Sequence, residues 1–143
     1  NPLKQAATDL APEQDRLALA RQAVEDFPHI VAVDFEMQLP RPSYTWRTME
    51  ALRHHYPENV FSLIIGADNW VNLLAEYPLL VYPREGYPIL PETLPPTVQL
   101  IDAPLFPFSS TNIRARLAEG KDVEKMIPAC IIDAAQRIYA PQK

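Results

Sequence analysis

Glycine is scarce, with three residues in a chain of 143. The Gly-rich phosphate loops GxxxxGK[ST] and GxGxxG, whose tight turns need several glycines, do not occur, and neither does GxSxG. Cysteine is scarcer still. Cys130 stands alone, so no disulfide forms within the chain, and a reducing cytoplasm suits such a sequence. No Cys/His cluster has metal-ligand spacing, and His54 and His55 are neighbours that a helix would point apart. No apolar run approaches the roughly 20 residues that span a bilayer. No signal peptide is visible, and the start reads as cut, so an upstream one would be lost. Positive charge is in deficit: 13 Lys and Arg against 18 Asp and Glu leave a net charge of −5. That makes the chain a poor general nucleic-acid binder, although a few basic groups converging with backbone N–H groups still hold a small anion. There is no internal repeat, heptad array or low-complexity tract.

What is present describes one globular domain over 1–143. Hydrophobic residues make up 48% of the chain. A domain of about 150 residues buries roughly 70% of its chain surface, enough for a sizeable core. Proline is in excess, with 16 residues, about twice its usual share of roughly 5%. The prolines between 78 and 107 predict loops and strand ends there and exclude a long helix.

Along the chain, 1–10 reads as a loop. Pro12 opens a helix whose Leu17, Ala20, Val24 and Phe27 share one face, and Pro28 closes it. Val31, Val33, Phe35 and Met37 alternate with Ala32, Asp34 and Glu36, which predicts a strand near a sheet edge. A second helix follows, capped by Ser43 or Thr45, striped with Met49, Leu52 and Tyr56, and closed by Pro57. The apolar run 60–65 predicts a strand buried on both faces, as in a parallel sheet. Segments 78–83 and 97–101 predict two more short strands. Ser109-Ser110-Thr111 starts a helix that ends at Gly120, and a last helix runs from Pro128 to about Tyr139. This order argues for an α/β layered fold, in which ligands sit beyond the carboxyl ends of parallel strands.

Several polar groupings fall at such places. In Phe108-Ser109-Ser110-Thr111-Asn112-Ile113-Arg114, a helix N-terminus offers N–H groups and a positive dipole end, three hydroxyls add donors, and Arg114 lies one turn from Thr111. That is a phosphate cradle on physical grounds, against the blander reading of a plain helix cap with a surface Arg. Gly66-Ala67-Asp68-Asn69 follows a buried strand, where a carboxylate serves either a ribose or a helix cap. Arg84, in the turn Pro83-Arg84-Glu85-Gly86-Tyr87, either clamps a phosphate or pairs with Glu85 in solvent. Ser43-Tyr44-Thr45 offers hydroxyls and an aromatic face, suited to a flat polar ring or simply to a cap and a packed Tyr. Cys130, beside Ile131 and Ile132, reads as a buried, inert thiol.

Taken in order, Arg41-Pro42-Ser43-Tyr44-Thr45 with Thr48, Ile64-Ile65-Gly66-Ala67-Asp68-Asn69, Pro83-Arg84-Glu85-Gly86-Tyr87 and Ser109-Ser110-Thr111-Asn112-Ile113-Arg114 resemble the successive motifs of bacterial nicotinate-nucleotide adenylyltransferases. Asn1-Pro2-Leu3-Lys4 resembles that family's loop after its second strand, and Lys121 and Pro128 fall where its closing segment puts them. The resemblance implies a Rossmann-like nucleotidyltransferase, a parallel sheet flanked by helices. It implies transfer of the adenylyl group of ATP to nicotinate mononucleotide, giving deamido-NAD and pyrophosphate in NAD biosynthesis, with Mg²⁺ on the ATP. By position, Ser109, Thr111, Arg114, Arg84, Gly66, Asp68 and Lys4 would meet ATP. Tyr44, Thr45 and Trp70 would meet the nicotinate nucleotide. ATP and nicotinate mononucleotide are then the partners, with no nucleic acid and no membrane, and a homo-oligomer is compatible.

Two departures stand out. The family's HxGH motif and first two strands have no counterpart here, so the chain reads as N-terminally incomplete, and as a fragment it would be inactive alone. The stretch from Asn69 to Pro78 is short for the family, which makes Trp70 a substitute for the usual stacking aromatic residue. The competing readings are a non-catalytic nucleotide-binding module and a related adenylyltransferase acting on nicotinamide mononucleotide or phosphopantetheine.

Overall fold

The computed structural model describes residues 10–67 and 77–140. Lys4, Asp68 and Trp70, and with them part of the expected site, lie outside the described residues. The chain divides into two compact units. One runs from Met49 to Pro107, and the other joins the chain up to Thr48 with the chain from Phe108 onward.

The central unit holds a parallel sheet of β1 (Leu63–Gly66), β2 (Leu79–Tyr82) and β3 (Val98–Leu100), in the order β1-β2-β3. Leu63 pairs with Leu79, which pairs with Val98, and Ile65 pairs with Val81, which pairs with Leu100. Side chains in register lie on the same face, so these two rows form one continuous apolar surface. Leu79, Val81, Val98 and Ala67 are buried in it, with Ile89 and Leu94 packed against them. The Pro-rich 83–97 segment carries the chain from β2 to β3 without an α-helix, through a turn bridged by Arg84 and Tyr87 and the 3₁₀ turn Pro91–Thr93. The parallel sheet with α-helices in the same chain gives the expected α/β class.

The other unit is helical. α1 (Glu13–Ala23), α3 (Ser110–Ala118) and α4 (Ile132–Tyr139) supply Leu19, Leu117, Ala135 and Tyr139, and the loop between α3 and α4 supplies Val123, Met126 and Ile127, to one apolar cluster. Burying one such Leu contributes about 2 kcal/mol. The Gln22 amide donates to the Cys130 carbonyl, tying α1 to the 3₁₀ turn Ala129–Ile131 that precedes α4. α3 ends in a Schellman motif. Gly120 takes φ +69°, its N–H donates to the Leu117 carbonyl at 3.0 Å, and the Lys121 N–H donates to the Arg116 carbonyl at 2.8 Å. A residue with a Cβ resists that left-handed backbone, which is why the helix stops at glycine. No helix among the described residues is long and apolar enough to cross a membrane.

Four local expectations need correction. The alternating segment 31–37 is not a strand: 31–34 is irregular and Phe35–Gln38 is a 3₁₀ turn. A strand exists only through a ladder partner, and among the described residues none pairs with 31–37. β1 is not buried on both faces; it lies at the end of the strand order and Ile64 is 65% exposed. α1 buries only Leu17 of its expected stripe and stops before Phe27, which is exposed. Cys130 is exposed, because its 3₁₀ turn leaves the thiol at the surface, 3.6 Å from the Gln22 carbonyl.

Candidate functional site

The α3 N-terminus is the best-defined of the candidate groupings. Ser109 holds an extended backbone, φ −109° and ψ 154°, and its Oγ accepts a hydrogen bond from the Asn112 N–H at 3.1 Å. An α-helix leaves its first four N–H groups without intrahelical partners, and this cap occupies one of them. One turn on, the Arg114 guanidinium donates to the Thr111 hydroxyl at 3.4 Å. The cap, the hydroxyl and the cation are thus on one helix end, where the dipole favours an anion. Ser109 and Thr111 are exposed and Arg114 is half-buried, so an anion has access to this end. The cap reading of Ser109 is met, and the capped end stays exposed.

The second grouping opens α2 (Thr45–His55). Neither Ser43 nor Thr45 caps this helix. The Tyr44 carbonyl accepts from the Thr48 N–H at 3.2 Å, which makes Tyr44 the residue at the cap position. Tyr44 and Thr45 are both exposed. The motif reading stops at Thr45, but the structure adds Trp46 and Arg47. The Arg47 guanidinium carbon lies 5.6 Å from the Tyr44 ring centre and 5.1 Å from the Trp46 ring centre. The sequence puts two aromatic residues within three positions of an arginine at a helix start, and the side-chain rotamers then decide that the three meet.

In the central unit, Gly66 and Arg84 come to the same end of the sheet. Gly66 pairs in register with Tyr82, the Ala67 N–H donates to the Tyr82 carbonyl at 2.9 Å, and Arg84 follows two residues on. Parallel strands put their carboxyl ends together, and that rim is where ligands sit in open α/β sheets. Arg84 is half-buried and bridges Tyr87 across a turn, whose Gly86 takes φ +80°. The positive φ at this third turn position is one that glycine adopts without strain. Asp68, which continues the Gly66 motif, and Trp70 and Lys4 lie outside the described residues. Among the described residues, no three of His, Cys, Asp and Glu gather to hold a metal ion.

No family model matches the chain, but individual relatives do. A probable nicotinate-nucleotide adenylyltransferase of Bacteroides fragilis is 46% identical over 132 positions, covering 86% of this chain and 65% of the relative. One of Flavobacterium johnsoniae is 40% identical over 141 positions, covering 90% of this chain and 72% of the relative. One of Porphyromonas gingivalis is 38% identical over 158 positions, covering 100% of this chain and 80% of the relative. That alignment of 158 positions against a chain of 143 leaves at least 15 positions of the relative without a counterpart here. The chain spans 65% of the length of the two Bacteroides relatives it matches. With such identity to the Porphyromonas and Flavobacterium proteins, over more than two thirds of their length, the chain belongs to the nicotinate-nucleotide adenylyltransferase family.

Proposed function

We propose that the protein carrying this chain transfers the adenylyl group of ATP to nicotinate mononucleotide, and that the chain acts as one nucleotidyltransferase domain. The observation that carries this reading is the α3 N-terminus, where a Ser109 cap and an Arg114–Thr111 pair meet the positive end of a helix. The relatives' shared name names the reaction.

In that reaction a phosphate oxygen of the mononucleotide attacks the α-phosphorus of ATP. A new P–O bond forms, the α–β bridging bond breaks, and pyrophosphate leaves with the electron pair. No covalent intermediate on the protein is required. Catalysis then rests on aligning two anionic substrates and neutralising charge that builds on the leaving pyrophosphate. Ser109, Thr111 and Arg114 serve this on α3, and Arg84 and Gly66 at the carboxyl rim of the sheet, with Asp68 toward the ribose and Lys4 toward a phosphate. Tyr44, Thr45 and Trp70 hold the pyridine ring. Mg²⁺ enters as part of the substrate MgATP, since it keeps most of its water and binds chiefly through phosphate oxygens. A cytoplasmic location suits an enzyme drawing on ATP.

The test is pyrophosphate release by the full-length gene product with MgATP and nicotinate mononucleotide. Losing a charged hydrogen bond to phosphate costs about 1.5–3 kcal/mol, so Arg114→Ala is expected to lower kcat/KM for ATP by about tenfold to hundredfold. The melting temperature should hardly move, because Arg114 belongs to no core cluster. Unchanged kinetics would remove Arg114 from the site. Absence of turnover with any mononucleotide, alongside retained ATP binding, would leave a nucleotide-binding module instead.

A further inference from the structure

We infer that Glu13 is a positioning residue, which acts through Arg41 to hold the loop before α2 in the shape that receives the mononucleotide. This rests on the reading above, in which Tyr44 and Thr45 at the end of that loop meet the pyridine ring. Residues 39–44 have no helix or strand of their own. Pro40 and Pro42 flank Arg41 there, and a proline has no N–H with which to pin a backbone. A loop left to itself samples many conformations, and a ligand that needs one of them loses affinity to the ordering.

A side chain supplies the missing restraint. The Arg41 guanidinium donates to one carboxylate oxygen of Glu13, 28 residues earlier in the chain. Glu13 is the first residue of α1, where the helix dipole favours its negative charge. Its other carboxylate oxygen lies 3.8 Å from the Arg16 guanidinium, one turn on. The Nε–H of Arg16 in turn donates to the Ala11 carbonyl at 3.1 Å. Arg16 thus links Glu13 to the backbone ahead of the helix. α1 is itself anchored, with Leu17 buried and Leu19 packed on the apolar cluster around Leu117. The contacts therefore run from a packed helix, through Glu13 and Arg41, to the entry of α2, all within one compact unit. Both partners keep much of their surface in solvent, 39% for Glu13 and 59% for Arg41. A pair so placed adds little to the stability of the fold, and its effect falls on the shape of the loop.

The experiment is a double-mutant cycle on the full-length protein, with Glu13→Gln, Arg41→Gln and the two together, measuring kcat, the KM of each substrate and the melting temperature. Each single variant should raise KM for nicotinate mononucleotide about twofold to fivefold, the size set by an exposed pair. With kcat and KM for MgATP unchanged, that split marks lost binding on the mononucleotide side alone. The double variant should be no worse than the poorer single one, since each change breaks the same contact. A rise in KM with Arg41→Gln but not with Glu13→Gln would make Arg41 a direct ligand of the substrate and overturn the role given to Glu13. Additive losses, unchanged KM in both single variants, or a fall in melting temperature with no change in KM would overturn it as well. All of these leave the enzymatic reading standing. Failure of the unaltered protein to turn over nicotinate mononucleotide overturns that reading, and this inference with it.

Discussion

Glu119 and Lys121 close the far end of α3 through a hydrogen-bonded ion pair at its last turn. The hydrogen bond from Lys121, and then the Lys121 charge, hold the Glu119 carboxyl below its ordinary value of 4.5, with Arg116 adding a smaller pull. A carboxyl whose folded value is depressed contributes stability above its unfolded value and loses it as pH falls through the folded one. Glu119 is exposed and screened, so the expected effect is a small loss confined to pH below about 4.5. An NMR titration of the Glu119 side-chain carbonyl should show the depressed midpoint, and Lys121→Ala should return it to the ordinary range. A midpoint unmoved by that substitution would mean that Lys121 is not its cause. The cap at Ser109 was readable in the same local way, because a hydroxyl and an N–H three residues on are all that it needs. The ring contacts of Arg47 were not, because they depend on which rotamers three exposed side chains adopt.

Among the elements, α3 was the most legible. Its cap hydroxyl and its terminal glycine both act within one turn of chain, and the observed bounds, Ser110–Ala118, fall between them. Gly120 has open space around the position of a Cβ, so a substitution there is resisted by backbone conformation alone. Gly120→Ala is expected to cost about 1–2 kcal/mol and to lower the melting temperature by roughly 3–6 °C. An unchanged melting curve would show that the C-terminal motif contributes nothing. Strands were less legible, for a physical reason. The period-two pattern of 31–37 and the apolar run ahead of Gly66 describe residues able to form strands, but a strand forms only with a partner. β2 has one on each side, with Leu79 and Val81 wholly buried, whereas β1 pairs on one side among the described residues and leaves Ile64 in solvent.

For the whole molecule, a nucleotide that binds only the folded state should raise its melting temperature with concentration. At ATP about a hundredfold above its dissociation constant the gain is roughly 2.7 kcal/mol. A thermal shift titration of this chain with MgATP checks this, and a flat response would deny it a nucleotide site of its own. Two apolar clusters, one around Val81 and one around Leu117, each stabilise their own unit. The α/β class and the family were within reach of the sequence, because element order, caps, breaking prolines and motif wording are local and survive without coordinates. The expected gathering of Gly66 with Arg84 at one sheet end followed from those strands being parallel. Only the tertiary structure decided that β1 lies outermost among the paired strands, that 31–37 stays unpaired and that Cys130 faces solvent. Each of those outcomes depends on which atoms arrive from elsewhere in space, and no periodicity within one segment carries that information.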